Sequence, residues 1–453
     1  MAVEETDVVV IGLGAGGENA AGLLADGGLS VVAVEERLVG GECPYYACVP
    51  TKMMVRAAGL LAEARRVPGM AGDTDVRPAW EPVAARIRDE ATDSWDDAVA
   101  VERLTARGIG FVRGRGLLTA PREVTVGDRV FRARRGVLLN TGTAPAVPPI
   151  DGLAGTPYWT NREAVQAKEA PASLLVLGGG VVGVEFAQIF ARFGTRVTIV
   201  QGGDRLLERE EPEASALLEK VFATEGIEVR TGAKVTRVGH DDDAFTLHTP
   251  DGTLTAERLL VATGRRPNLR GLGLDAVGLD ENARALEVDD RLRVTDGLWA
   301  IGDITGKGAF THVSMYQSAI AARSILGADG PAASYHAVPR VTFTDPEIGV
   351  VGLTEAEARD RGLAVATGHA ELADSSRGWI HKVGNEGFVK LVEDTGRGVL
   401  VGATVAGPSG GEIVAALSVA VHAEVPTATL RTMITAYPTF HRALESALAD
   451  LGS

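Results

Sequence analysis

Twice in this chain a short apolar run breaks into a Gly-x-Gly-x-x-Gly turn, passes into a stretch with helical spacing, and emerges as a second apolar run. The first instance is residues 7–11, then Gly12-Leu-Gly14-Ala-Gly-Gly17, an Ala- and Leu-rich stretch, and residues 30–35 ending at Glu35. The second is residues 174–177, then Gly178-Gly-Gly180-Val-Val-Gly183, a stretch through Phe193, and residues 196–201 ending at Gln201. In a strand-helix-strand unit each glycine has its own task. The first permits the tight turn, the second lets a pyrophosphate approach the backbone, and the third lets helix and strand pack closely. The helix start adds unpaired N–H donors and a positive dipole end. Glu35 stands where a carboxylate would hold ribose hydroxyls. A lone glycine motif is weak, but here strand, turn, helix and strand fall in register twice. The pattern predicts an α/β fold with two Rossmann-like domains, each binding one dinucleotide.

With 453 residues the chain has room for two or three domains, and its net charge of -15 argues against nucleic acid or an anionic membrane surface as a partner. The apolar run near the N-terminus stops at Gly12, too short for a signal or membrane segment, so a soluble cytoplasmic protein is expected. Its two cysteines are Cys43 and Cys48, in Gly40-Gly-Glu-Cys-Pro-Tyr-Tyr-Ala-Cys-Val-Pro-Thr-Lys52. A metal site needs more ligands than two thiols, and no His lies within a turn of them, so no metal is expected. A reversible dithiol/disulfide leads. Residues 76–104 read as a charged, solvated helix pair without chemistry. Two apolar strands break at Thr141-Gly142 and Thr263-Gly264, making Thr141, Gly142 and Gly264 candidate cofactor contacts. From about residue 338 short strands followed by helices indicate an α+β module.

These residues resemble the FAD-dependent pyridine nucleotide-disulfide oxidoreductases of class I, the family of dihydrolipoamide dehydrogenase, glutathione reductase and mercuric reductase. The likeness rests on the two glycine motifs, the second continuing to Glu185, and on Gly-Gly-x-Cys-x4-Cys-x-Pro-x-Lys from Gly40. It continues through Ala262-Thr-Gly-Arg-Arg-Pro-Asn268, Ala300-Ile-Gly-Asp303, Phe343-Thr-Asp-Pro-Glu347 and Val351-Gly-Leu-Thr-Glu355. The resemblance implies an FAD-binding part at 1–147 and a NAD(P)-binding domain at 148–268. It implies a return to the FAD-binding, central part at 269–334 and a dimerisation domain at 335–453, hence a homodimer. It further implies that Asp303 holds the flavin's sugar chain, that His312 lies along the flavin, and that Lys52 and Glu185 form an ion pair beside it. Cys48 would face the flavin and Cys43 would exchange with substrate. A helix expected to start near Cys43, together with Lys52, would favour thiolate character.

The chain departs from the pattern near its end. Where thiol-handling members place His-Pro-Thr and then Glu, this chain has Tyr437-Pro438-Thr439 and Arg442. A phenol with a pKa of about 10 shuttles protons poorly at neutral pH beside an imidazole of about 6.5. His441 and Glu445, each one turn further on, form a conceivable displaced pair or simply decorate an exposed face. Mercuric reductases carry a Tyr near that position together with a C-terminal cysteine pair. No further cysteine exists here, so mercury is not expected as the substrate. Tyr45 and Tyr46 either pack beneath the cysteines or narrow the approach to them. Gln201 and Arg205 leave NADH and NADPH both open.

The expected activity passes electrons from NAD(P)H through FAD to Cys43–Cys48 and on to a small disulfide or related acceptor. Two alternatives stand: direct reduction of quinones, metal ions or other non-thiol acceptors, with the disulfide incidental, and a dihydrolipoamide dehydrogenase-like subunit of a larger assembly.

Overall fold

The computed structural model describes residues 3–451. The chain forms two compact units, one made of Met1–Pro50, Ala85–Ala146 and Arg265–Tyr335, the other of Thr51–Ala84, Val147–Gly264 and His336–Ser453.

The first unit is built on strand Val3–Ile11, which lies between Val31–Glu35 and Arg129–Leu139, all parallel. Gly110–Arg113 extends the sheet on one side and Leu298–Ala300 on the other, with Arg293–Thr295 antiparallel at the far edge. The central strand begins four residues before the apolar run. Val3–Thr6 pair with residues 130–133, and the register shifts before Val8 pairs with Gly136. Alternation along the strand serves two cores, as a parallel sheet covered on both faces requires. Val8 and Val10 join Ala20, Ala21 and Leu24 of helix Ala15–Asp26 and Ile320 and Ile325 of helix Thr311–Leu326. Val9 and Ile11 join Phe131, Val137 and Leu118 on the opposite face.

In the second unit the parallel sheet runs Glu228–Arg230, Arg196–Val200, Ser173–Leu177 and Arg258–Val261, with helix Val181–Arg192 connecting its middle strands. A small antiparallel sheet follows over residues 237–256. The last module is a five-stranded antiparallel sheet in the order Pro339–Thr342, Glu347–Gly352, Val399–Gly407, Phe388–Asp394 and Val365–Glu371. Val389, Leu391, Ala403 and Val405 pack there with Val414 and Leu417 of helix Gly410–His422 and with Leu444 and Leu448 of helix Ala443–Asp450. The mixed α/β architecture is the one the glycine motifs predict.

The segment 76–104 is less regular than its charge pattern suggests. Helices Glu81–Arg86 and Ala98–Thr105 are separated by a wide turn over Ile87–Ala91 and by Asp93, Ser94 and Trp95, all with positive φ. Trp80, before the first helix, is buried. Its ring stacks on Phe190 at 4.9 Å, and its indole N–H donates to the carbonyl of Ala167. An aromatic anchor, rather than solvation, holds that end of the segment.

One buried cation organises much of the second unit. Lys390 is only 6 % exposed, and its ammonium lies 3.0 Å from Glu211, 2.7 Å from Glu213 and 3.0 Å from Glu355. Burial opposes its charge, but hydrogen bonds to the three carboxylates prevail and raise its pKa above the ordinary lysine value. Replacing Lys390 by Met leaves the buried Glu211 without its cation, an arrangement that costs about 3–5 kcal/mol. Thermal unfolding followed by circular dichroism is expected to shift down by several degrees; an unchanged midpoint would show the cluster to be energetically neutral.

Candidate functional site

Some of the motif glycines are required by the protein's own backbone. Gly12 has φ of 90°, and a Cβ there would sit 2.4 Å from the Asn140 carbonyl oxygen; a Cβ on Gly17 would sit 2.0 Å from the Gly12 oxygen. Gly178 and Gly183 repeat this, with a Cβ on Gly183 falling 2.0 Å from the Gly178 oxygen. Gly14 and Gly180 have no such reason. A Cβ on Gly14 would meet only the Asn140 amide, at 3.4 Å, and one on Gly180 would meet nothing within 4 Å. Each caps its helix with no side-chain hydrogen bond to the first turn. Two helix starts therefore present N–H groups across a backbone stripped of side chains, which suits a pyrophosphate. The residues fit the two dinucleotides that the motifs imply.

Glu35 is half-buried at the end of its strand. One carboxylate oxygen accepts the Leu13 N–H at 2.7 Å and the other the Arg37 N–H at 2.7 Å. Gln201 does the first of these jobs in the second unit, its Oε1 accepting the Gly179 N–H at 2.8 Å. Asp303 lies in the short helix Gly302–Thr305 and accepts from the Thr143 hydroxyl at 2.6 Å, while Arg265 donates to that hydroxyl at 2.6 Å. Thr141 donates to the Asn268 carbonyl at 2.9 Å, and Asn268 returns a bond to Thr141, so this pair braces the strand end. Gly142 and Gly264 adopt φ of 63° and 122° with open space where a Cβ would be.

The cysteines occupy two different helical pieces. Glu42–Tyr45 is a single turn containing Cys43, and an 18-residue helix, Cys48–Arg65, begins at the second cysteine. A helix does start beside Cys43, at Glu42, but it ends after one turn; the long helix starts at Cys48, beyond Tyr46, whose φ of -136° breaks the chain between them. The dipole argument transfers with it, and favours negative charge on Cys48. Cys43 is half-buried and Cys48 exposed, with its Sγ 3.4 Å from the Thr311 hydroxyl. His312 follows Thr311, its ring stacked on Phe310 at 5.2 Å. Tyr45 is buried, with its carbonyl accepting from the Trp95 indole, so packing accounts for it; Tyr46 is half-buried.

In the second unit Lys52 and Glu185 meet at 2.5 Å. Glu185 is 5 % exposed; its other oxygen accepts the Phe343 N–H at 2.8 Å, and the Lys52 ammonium lies 4.6 Å from the Phe343 ring centre. Tyr437 is 68 % exposed, with the Arg442 guanidinium 5.4 Å from its ring. Among the described residues no hydrogen bond joins His441 to Glu445. His441 is 3.3 Å from the Thr439 hydroxyl, while Glu445 is bonded to Thr435 and paired with Arg442 at 3.0 Å. The residues of the conceived dyad are therefore committed elsewhere.

Two supporting groups escaped the sequence reading. Buried Asn140 donates to the carbonyls of Gly12 and Gly14 at 3.3 and 3.4 Å and accepts from Ser314 at 3.2 Å. A polar residue within the apolar run Leu138-Leu-Asn was the available signal. Asp345, inside the Phe343–Glu347 motif, pairs with Arg66 and Arg192, each at 2.8 Å, tying that motif to helix Val181–Arg192. No group of three or more His, Cys, Asp or Glu side chains able to hold a metal ion occurs among the described residues. No helix among them is long and apolar enough to cross a membrane.

The acid at the end of the first unit gives a pH test. Burial raises Glu35 above its ordinary value of 4.5, more than the N–H bonds from Leu13 and Arg37 and the charge of Arg113 lower it. On the expectation that Glu35 accepts ribose hydroxyls, protonation would turn that acceptor into a donor. FAD is therefore expected to bind more weakly as pH falls into the range where Glu35 takes up its proton, read as rising flavin fluorescence at pH values where circular dichroism is unchanged. Glu35→Gln should hold FAD more weakly and lose this dependence; a variant that keeps it would assign the titration to another group.

The chain matches the family model described as pyridine nucleotide-disulphide oxidoreductase over residues 6–322, and that family's dimerisation domain over residues 338–448. It is 34 % identical to a mercuric reductase of Acidithiobacillus ferrooxidans, over 98 % of this chain and 82 % of that one. It is 33 % identical to a dihydrolipoyl dehydrogenase of Thermus scotoductus, over 98 % and 97 % of the two chains. Among solved structures, the Cu(II) complex of the HOCl-induced flavoprotein disulfide reductase RclA from Escherichia coli superposes with a TM-score of 0.85 at 26 % identity. It covers 98 % of this chain and 99 % of that one. Sequence motifs, fold and likeness across nearly the whole length agree: the chain belongs to the pyridine nucleotide-disulphide oxidoreductases, enzymes that use FAD and NAD(P)H.

Proposed function

We propose that this enzyme draws electrons from NAD(P)H through FAD into a Cys43–Cys48 couple and delivers them to a small acceptor that needs no imidazole for its protonation. Bound FAD supplies the two-electron relay between nicotinamide and sulfur. The observation that carries the reading is the placement of Cys48 as the first residue of an 18-residue helix, with Cys43 in the turn before it. That start stabilises the inner sulfur as a thiolate, and Lys52 adds positive charge one turn along the same helix. Gly12, Gly14, Gly17, Glu35, Thr141, Gly142, Asp303 and His312 serve the flavin nucleotide in this reading. Gly178, Gly180, Gly183, Gln201 and Gly264 serve the nicotinamide coenzyme. Lys52 and Glu185 set the charge beside the flavin. The matched dimerisation domain supports a homodimer.

For a disulfide acceptor the atoms balance without a further reductant. The Cys43 thiolate attacks one acceptor sulfur, the acceptor S–S bond breaks, and the first thiolate departs. The Cys48 thiolate then attacks Cys43, releasing the second thiolate and joining Cys43 to Cys48 again. The two departing thiolates still require protons. Tyr437 stands where the family's thiol-handling members have His, and a phenol is a poor donor and acceptor at neutral pH.

That departure favours a second reading, in which the acceptor is a thiol-seeking or redox-active metal ion. Such an ion leaves no thiolate product to protonate. The likeness to a mercuric reductase and to a flavoprotein solved as a Cu(II) complex supports it.

Steady-state assays of the FAD-loaded enzyme with lipoamide, glutathione disulfide, quinones, Cu²⁺ and Hg²⁺ separate these readings. Cys43→Ser is expected to cut turnover of the true acceptor by about a hundredfold or more, while reduction of the flavin by NAD(P)H persists. Equal turnover of every acceptor by wild type and variant would remove the sulfur couple from the path. Tyr437→His, made with Arg442→Glu, is expected to raise disulfide turnover by about tenfold or more at neutral pH. No gain would show that proton transfer does not limit exchange.

A further inference from the structure

We infer that Glu208 makes this chain an NADH enzyme, by placing a carboxylate where the 2′-phosphate of NADPH would have to lie. The inference rests on the reading that the second glycine-rich unit holds the nicotinamide coenzyme. In such a unit the adenosine ribose sits at the end of the second strand, where an acid accepts the ribose hydroxyls or a cation accepts the phosphate. Here that strand is Arg196–Val200, and Gln201 follows it.

Gln201 carries no charge, and its Oε1 is spent on the Gly179 N–H. It does the bracing that Glu35 does for Leu13 in the first unit, without the negative field. The charge comes from seven residues on. Glu208 folds back over Gly203 so closely that a Cβ on residue 203 would fall 1.5 Å from its Oε1 and 2.4 Å from its carboxyl carbon. A glycine at 203 is what admits the carboxylate to a position three residues past the coenzyme-facing strand end.

The loop that presents Glu208 is rigidly tied. Arg205 donates to the carbonyls of Leu207, Glu208 and Glu210 and to the Ser215 hydroxyl, at 3.2, 2.6, 2.9 and 2.7 Å. The Leu207 N–H donates to the Gly179 carbonyl at 2.9 Å, and the Gly232 N–H to the Gly203 carbonyl at 2.7 Å. Arg205, the arginine that the sequence offered as a phosphate partner, is thereby occupied with the loop's own carbonyls. A dianionic 2′-phosphate brought to this strand end would meet the Glu208 carboxylate, whereas a ribose diol would find an acceptor there. Arg209, the next residue, is exposed and is the remaining nearby cation on this loop.

The test uses the FAD-loaded enzyme and two adenosine probes, 5′-AMP and adenosine 2′,5′-bisphosphate, with binding measured by titration calorimetry. This readout is independent of the electron acceptor. Wild type is expected to bind 5′-AMP more tightly by about tenfold or more, and to show the same preference for NADH over NADPH in kcat/KM. Glu208→Gln should tighten the bisphosphate while leaving 5′-AMP nearly unchanged. Gly203→Ala, which displaces the carboxylate without removing it, should narrow the ratio in the same direction. Arg209→Ala should leave the wild-type preference in place. A wild-type preference for the bisphosphate, or a ratio unmoved in both Glu208→Gln and Gly203→Ala, overturns the inference while leaving the coenzyme unit assigned. Failure of both probes to bind overturns that assignment too.

Discussion

A helix that begins within a side chain's width of the strand feeding it is the constraint on which both nucleotide-binding units depend. In each, the third motif glycine lies so near the carbonyl of the first that a Cβ would fall 2.0 Å from its oxygen. No side chain fits there, and no movement short of pulling the helix off the sheet would make room. That closeness sets the first turn of the helix beside the carboxyl end of the strand, and it leaves the middle glycine, with no steric duty of its own, as backbone that a diphosphate can touch. The cores behind follow from the same geometry. With helices laid on the sheet, Val8 and Val10 are buried in one apolar layer and Val9 and Ile11 in the other.

Glu185 shows how little apparatus is needed to join several elements of the second unit. Its two oxygens hold the Lys52 ammonium and the Phe343 N–H, so one buried carboxylate connects three stretches of chain that are far apart in sequence. Asp345 repeats the arrangement two residues later through Arg66 and Arg192. Buried charges of this kind are costly unless matched; Glu185 is matched by one cation and a backbone N–H, and Asp345 by two arginines.

Much of this was readable from residues in order. The glycine motifs predicted both parallel sheets, since a strand-turn-helix with those spacings has few other folded solutions. The Lys52–Glu185 pair was implied by family resemblance and is present. What escaped was whatever depends on contacts made across the sheet or on a local break. Asn140 looked like the end of an apolar run, and its grip on the glycine loop emerges only when Leu139 is seen paired beside Ile11. The helix start expected near Cys43 is present at Glu42, but the break at Tyr46 and the second, longer helix from Cys48 were not foreseen. Trp80 was lost in a charged segment whose periodicity suggested solvent on every side.

The break between Cys43 and Cys48 has a mechanical consequence. One sulfur is carried by the start of an 18-residue helix, and the other by a single turn. Their spacing is therefore set by Tyr46 and Ala47, which join the two pieces, and not by the pitch of one continuous helix.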